Sequence, residues 1–111
     1  MSLKASGTQT ATLTTEHTLA TVTPTLVGEA LQLSVDINAL VDTEVVTLKI
    51  KTKVLSAGTS RITYKESFTA MQGAIQPVIV LPPMLFDQDA VFTLEQNNGT
   101  GRAFPWKVLS P

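Results

Sequence analysis

The run Glu29-Ala30-Leu31-Gln32-Leu33-Ser34-Val35-Asp36-Ile37 alternates strictly between apolar and polar side chains. Leu31, Leu33, Val35 and Ile37 share one face. Gln32, Ser34 and Asp36 share the other. A period of two belongs to a half-buried β-strand, because successive side chains of a strand point to opposite sides of its sheet.

Working outward, the same pattern returns from Glu44 to Leu55. Val46, Leu48, Ile50, Thr52 and Val54 fall on one face, and Lys49, Lys51 and Lys53 on the other. A helix would scatter those three lysines around its circumference. Asn38 to Thr43, between the two strands, reads as a loop or a single helical turn. Ser56-Ala57-Gly58-Thr59-Ser60 reads as a turn, with Gly58 able to take positive φ. Arg61 to Thr69 alternates again, with Ile62, Tyr64 and Phe68 on one side. Lys53 to Arg61 is therefore expected at the tip of a long β-hairpin.

Pro77-Val78-Ile79-Val80-Leu81 is a short apolar strand that Pro82-Pro83 should end, since proline cannot donate to a ladder. Ala90 to Gln96 is a further strand with Phe92 and Leu94 on one face. Asn97-Asn98-Gly99-Thr100-Gly101 is a turn signal. Ala103 to Leu109 closes the chain as a strand carrying Phe104, Trp106 and Val108, and Pro105 within it suggests an edge position or a bulge. About seven to eight short strands separated by turns predict an all-β fold, an antiparallel β-sandwich or barrel, with helical content close to nil.

The first 27 residues are Thr-rich and alternate only weakly. Thr8 to Thr14 and His17 to Thr23 read either as two N-terminal strands paired around Thr15-Glu16 or as an extended arm reaching a neighbour. We therefore divide the single domain into this segment, 1–27, and a β-sandwich body, 28–111.

Composition narrows the function. The chain has 111 residues, 43% of them hydrophobic and 15% charged, with net charge −1, no cysteine and 17 threonines. That length suits one domain with a real core. The absence of Cys excludes disulfides and thiolate metal sites. Near-neutral charge argues against binding nucleic acid through its phosphates. The charged share is below the ~25% usual in globular proteins, and a Thr-rich, charge-poor surface suits a protein packed against neighbours. The beginning of the chain has no apolar signal-peptide core, and no run reaches the ~18–20 apolar residues that span a bilayer. The expected setting is a cytoplasm, or a particle that carries the protein out of the cell.

Little catalytic chemistry is present. His17 is the only histidine, no Gly-x-Ser-x-Gly elbow accompanies it, and it reads as a polar strand residue. Asp87 with Asp89, and Asp42 with Glu44, are spaced to offer oxygen ligands to Ca²⁺ but lack the ligand density of a calcium loop. They read as solvated acids. The row Lys49, Lys51, Lys53, continued by Arg61 and Lys65, suits either contact with an acidic partner, sugar or phosphate, or a solvated outer face. The second reading is preferred, with Glu44 and Glu66 pairing across the strands to dilute the charge. Trp106 beside Arg102 suits a sugar or base only if exposed. On a strand face with Phe104, it reads as core. Asn98-Gly99-Thr100 matches a glycosylation pattern, but Asn-Gly is also a preferred tight-turn dipeptide.

Several segments together resemble a known class. They are Thr15-Glu16-His17-Thr18-Leu19, the strand Leu31 to Ile37 leading into Glu44-Val45-Val46-Thr47-Leu48, the hairpin Lys53 to Arg61, and the ending Leu94-Glu95-Gln96 through Gly99-Thr100-Gly101-Arg102-Ala103-Phe104-Pro105-Trp106. From Thr15 onward the chain resembles small virion accessory proteins of tailed bacteriophages, of the head-decoration or cement kind. The resemblance implies a non-enzymatic virion protein without cofactor or metal. It would bridge subunits of the major capsid protein as a homo-oligomer, a trimer being favoured, with no nucleic acid or membrane partner. The expected contacts are Ser2, Leu3, Lys4, Thr8, Thr10 and Thr12 in the N-terminal segment, which is nearly uncharged between Ala5 and Thr15. Ala57, Gly58, Thr59 and Ser60 are expected at the hairpin tip. Alternatives are a carbohydrate- or receptor-binding β-sandwich using Trp106, Tyr64 or Phe104, and a tail or neck component.

Overall fold

The computed structural model describes residues 2–25, 28–41, 43–70 and 76–111. Nearly all regular structure among them is strand: β1 (Ser2–Thr10), β2 (His17–Val22), β3 (Glu29–Asp36), β4 (Val45–Thr52), β5 (Arg61–Thr69), β6 (Val78–Val80), β7 (Met84–Phe86), β8 (Ala90–Gln96) and β9 (Ala103–Ser110). They form two antiparallel sheets, an all-β sandwich as the alternation predicts. The first sheet runs β1-β9-β3-β6, with β7 also paired to β3; the second runs β2-β8-β4-β5.

The pairing has a simple logic. β1 pairs with β9, β2 with β8, β3 with β6 and β7, and β4 with β5. The chain is thus one long folded-back ribbon, wrapped so that β9 meets β3 and β8 meets β4. Nested pairing followed by wrapping gives jelly-roll connectivity, the double Greek key.

The core lies between the sheets. Leu31, Leu33, Val35 and Ile37 are all buried, as their alternation requires, and they meet Val46, Leu48, Ile50, Phe92 and Leu94 from the second sheet, all buried as well. Phe92 is fully buried and sits edge-on to Phe86, with ring centroids 6.3 Å apart at 69°, the favoured T-shaped arrangement.

Several expectations need correction. Thr8–Thr14 and His17–Thr23 do not pair with each other as a hairpin. β1 borders the first sheet while β2 enters the second, because each has a better partner far along the chain. The strand beginning at Val45 stops at Thr52, so Val54 is not a core residue and is 86% exposed. Ile62 is likewise exposed, since it lies past the core at the hairpin's outer end. Pro82-Pro83 does end β6, but a further strand that the sequence did not reveal, β7, follows at once. β6 pairs with Ser34–Asp36 and β7 with Glu29–Leu31, and between them the Leu81 N–H donates to the Leu33 carbonyl at 2.9 Å.

Pro105 is neither on an edge strand nor at a recorded bulge, because β9 lies between β1 and β3. It is tolerated because the β3–β9 ladder ends at Val35–Trp106, one residue before it, so no partner there needs its missing N–H. Gly58 closes its turn by donating to the Leu55 carbonyl at 2.8 Å without positive φ. The glycine that needs the left-handed region in the loop after β8 is Gly99, at φ 80°.

Candidate interaction surface

Three loops meet at one end of the sandwich, and a buried polar cluster ties them together. Glu44, 4% exposed, accepts the backbone N–H of Val41 (2.8 Å) and of Thr100 (3.0 Å). It also accepts Arg102 Nε and Nη2, the latter at 2.9 Å. Gln96, fully buried, donates Nε2 to the carbonyls of Asn98 and Thr100 and accepts the Arg102 N–H. Asn98 accepts the Val45 N–H and donates to the Thr43 carbonyl. Each of these side chains finds its partners, as the low-dielectric interior demands. The cluster fastens the loop after β8 to the start of β4. It is a structural latch.

That latch settles several candidates. Glu44 is not available to Ca²⁺, since its oxygens are taken by Arg102 and two backbone amides; Asp42 lies outside the described residues. Asp87 and Asp89 are exposed, and no group of three or more metal-ligating side chains occurs among the described residues. His17 Nε2 accepts the Thr12 N–H at 3.0 Å, which makes it a loop fastener. The Asn98 side chain is committed at both ends to the start of β4, at Val45 and Thr43.

Two members of the lysine row, Lys49 and Lys51, are tied to acids, but not to those expected. Lys51 contacts Glu16 at 2.8 Å, and Lys49 lies 3.7 Å from Glu16 and 3.9 Å from Glu95. Glu44 instead pairs with Arg102, and Glu66 accepts the Tyr64 hydroxyl. The expected cross-strand pairs fail because Glu44 precedes β4 and turns inward, whereas Glu16 arrives from the β1–β2 loop. The Lys51 hydrogen bond holds the Glu16 carboxyl below the usual range, helped by the charge of Lys49.

Acid should loosen the fold through two other carboxyls. The Arg102 hydrogen bonds hold Glu44 at about 2 against an ordinary 4.5, with the Thr100 and Val41 amides assisting and burial opposing. Lys4, 2.9 Å away, does the same for Glu29, again at about 2, with help from the Thr25 amide and the Ser110 hydroxyl. A depressed carboxyl contributes its full stability above the unfolded value near 4.5 and loses it as pH falls through the folded value. Urea midpoints should therefore be level from pH 7 to about pH 5 and fall progressively toward pH 2. Unfolding curves at stepped pH check this.

The outer faces of the two sheets differ. On the second sheet, Lys49, Lys51, Lys65 and Glu95 sit among Thr and Ser. On the first, the outward positions of the central rows are Leu3, Leu109 and Gln32, then Ser6, Lys107, Ser34 and Val80, then Thr8, Pro105, Asp36 and Val78. Leu85 stands beside them, 73% exposed, with Leu3 at 60%. Lys107 and Asp36 are the only charged residues of those rows.

β1 is the edge of this charge-poor face. Natural edges are protected by charge, proline, shortness or bulges. β5 carries Arg61, Lys65 and Glu66; β6 and β7 are three residues each, split by Pro82-Pro83. β1 is nine residues long. Its one charge, Lys4, is turned back onto Glu29, and its one register shift lies between Leu3 and Ala5. Ala5 to Thr10 is thus an open, uncharged edge; β2, the edge of the second sheet, is also free of Asp, Glu, Lys and Arg, but it is six residues long and has a register shift in its middle, between Thr18 and Ala20.

The expected contact residues map onto this geometry in two groups. Ser2, Leu3, Lys4, Thr8 and Thr10 lie on β1, and Thr12 follows in its loop. Ala57, Gly58, Thr59 and Ser60 are all exposed at the tip between β4 and β5, on the other sheet. Phe104 is fully buried, and Trp106 packs on the core, with Gly7 so close that an added Cβ would lie 3.3 Å from the indole.

The chain matches no protein-family model, no curated protein and no solved structure. Among the described residues, no helix is long and apolar enough to cross a membrane.

Proposed function

We propose that this protein is a non-enzymatic structural component of a tailed-phage virion, a decoration or cement protein that stabilises the capsid by bridging coat subunits. The observation that carries the reading is the asymmetry of the sandwich. One sheet presents a charge-poor outer face and a nine-residue edge strand uncharged from Ala5 to Thr10; the other has only the short β2 as an uncharged edge and presents paired lysines and glutamates on its outer face. Interface cores are depleted of charge, and an open strand edge offers backbone donors and acceptors to a partner. The coat therefore covers β1 and the adjoining Leu3–Leu85 part of the first sheet, and the outer face of the second sheet is turned to solvent. The virion setting and the homo-oligomeric, trimeric state come from the family resemblance. Jelly-roll connectivity is shared by viral capsid and lectin domains, a fold-level analogy compatible with this reading.

Stabilisation follows mass action, because the protein binds the assembled lattice and not the separated subunits. Particles lacking it should release their genome at a lower temperature than complete particles, measured by dye access on heating. Equal rupture temperatures would remove the cement role. The double variant Ser6→Lys, Thr8→Lys should keep the fold, with stability within about 0.5 kcal/mol as for other exposed positions. It should nevertheless fail to bind particles in a co-sedimentation assay, since lysines along an edge block strand addition.

A further inference from the structure

The chain carries a convex and a concave apolar feature at opposite ends. β3 and β4 run in opposite directions, so the C-terminal end of β4 lies away from the C-terminal end of β3. Beyond β4, the turn closed by Leu55 and Gly58 leaves Val54 86% and Leu55 71% exposed, side by side, with Ile62 at 53% on the adjoining strand. Lys53 and Arg61 flank this knob. Asp89 stands at its base, where the Thr52 hydroxyl donates to the Asp89 carbonyl at 3.0 Å. At the far end, the outer face of the first sheet holds a hollow of about 280 Å³ lined by Ser34, Asp36, Val78, Pro105, Trp106 and Lys107, among others.

We propose that Val54 and Leu55 of one copy seat in the hollow of a second copy, joining the chains head to tail. The inference rests on the assembly reading above and names one partner for it. The sizes agree: the seven side-chain carbons of Val54 and Leu55 occupy on the order of 200 Å³ at ~30 Å³ per heavy atom, the share a water takes in liquid. The charges agree as well. The hollow has Asp36 and Lys107 at its rim, and the knob brings Arg61 or Lys53 for the first and Asp89 for the second. Adjacent exposed aliphatics on a turn have no role within the chain, because the core is already filled by Ile50, Phe68 and Phe92. Knob and hollow are different patches, so the contact is heterologous and repeats around a rotation axis until a ring closes.

The test is analytical ultracentrifugation of the full chain over a wide concentration range. Wild type should rise from 11.9 kDa to a defined multiple of that mass. Leu55→Asp, which spoils the knob, and Val78→Arg, which spoils the hollow, should each remain monomeric, with unchanged circular dichroism because both positions are exposed. Leu55→Ser is the milder substitute if Leu55→Asp fails to fold. A mixture of the two variants retains one good knob and one good hollow, and should form a dimer and nothing larger. A wild type that stays monomeric throughout, a Leu55 variant that assembles normally, or a mixture that does not pair would each overturn the joint. Particles stabilised by a protein that is monomeric in solution would overturn the joint and leave the cement role standing. A knob-dependent oligomer that leaves particle rupture unchanged would support the joint and remove the cement role.

Discussion

Replacing Phe92 with alanine is expected to cost about 3–5 kcal/mol, the usual range for a buried Phe→Ala change. Phe92 is fully buried on the central strand β8, between β2 and β4, and its ring meets Phe86 edge-on. The loss combines the transfer of the ring from water, the cavity left among Ile50, Leu94 and their neighbours, and the aromatic contact itself. A domain of this size is stable by about 5–15 kcal/mol in total, so the variant should be close to the edge of folding. Each kcal/mol should lower Tm by roughly 4–8 °C in a domain near this size. Leu85→Ala is the control. Leu85 is 73% exposed, and its truncation should stay within about 0.5 kcal/mol. Thermal melts of the two variants beside wild type check the contrast.

The second large effect is expected at Glu44. Glu44→Ala removes the acceptor of four donors at once: Arg102 Nε and Nη2 and the amides of Val41 and Thr100. Breaking a buried pair by removing one partner costs about 3–5 kcal/mol. Arg102 keeps a side-chain exposure of 31% and can turn to water, which lowers the expectation to about 2–4 kcal/mol. The variant should also lose part of the acid sensitivity, because one of the two strongly depressed carboxyls is gone. Glu44→Gln keeps an acceptor oxygen and should fall between wild type and Glu44→Ala. Urea unfolding at pH 7 and at low pH separates these effects: the gap between wild type and Glu44→Ala should narrow as Glu44 becomes protonated.

How much of this could be read from the sequence depended on range along the chain. The alternation of Leu31 to Ile37 is local, and it correctly put four residues in the core. The ending of β4 was not legible, because Thr52 and Val54 continue the alternation. Only the turn hydrogen bond from Gly58 to Leu55 diverts the chain. Pro82-Pro83 marked the true end of β6; β7 was not legible, because it forms only where β3 continues past the prolines and supplies a second set of partners. The separation of β1 from β2 rests on pairing with β9 and β8, some seventy and more residues away. No local signal reports that.

The surface was legible in part. The charge-free stretch after Lys4 pointed to the segment that becomes the open β1 edge. The latch was missed, since Glu44 and Arg102 are 58 residues apart. One signal was present: Gln96 follows Phe92 and Leu94 at the same spacing, and a polar side chain at a core position needs partners. The exposed pair Val54–Leu55 was hidden by the alternation that assigned Val54 to the core, while attention fell on Ala57 to Ser60 next to it.

The central claim is that the first sheet, led by its β1 edge, is turned toward a capsid. Electron microscopy of the phage particle, with the density of this chain located, tests it most directly. The account predicts the sandwich on the outside of the head, β1 and the Leu3–Leu85 part of the first sheet against coat subunits, and the lysines of β4 toward solvent. Density with the lysine face against the coat and β1 bare, or heads that carry none of this protein, would contradict it.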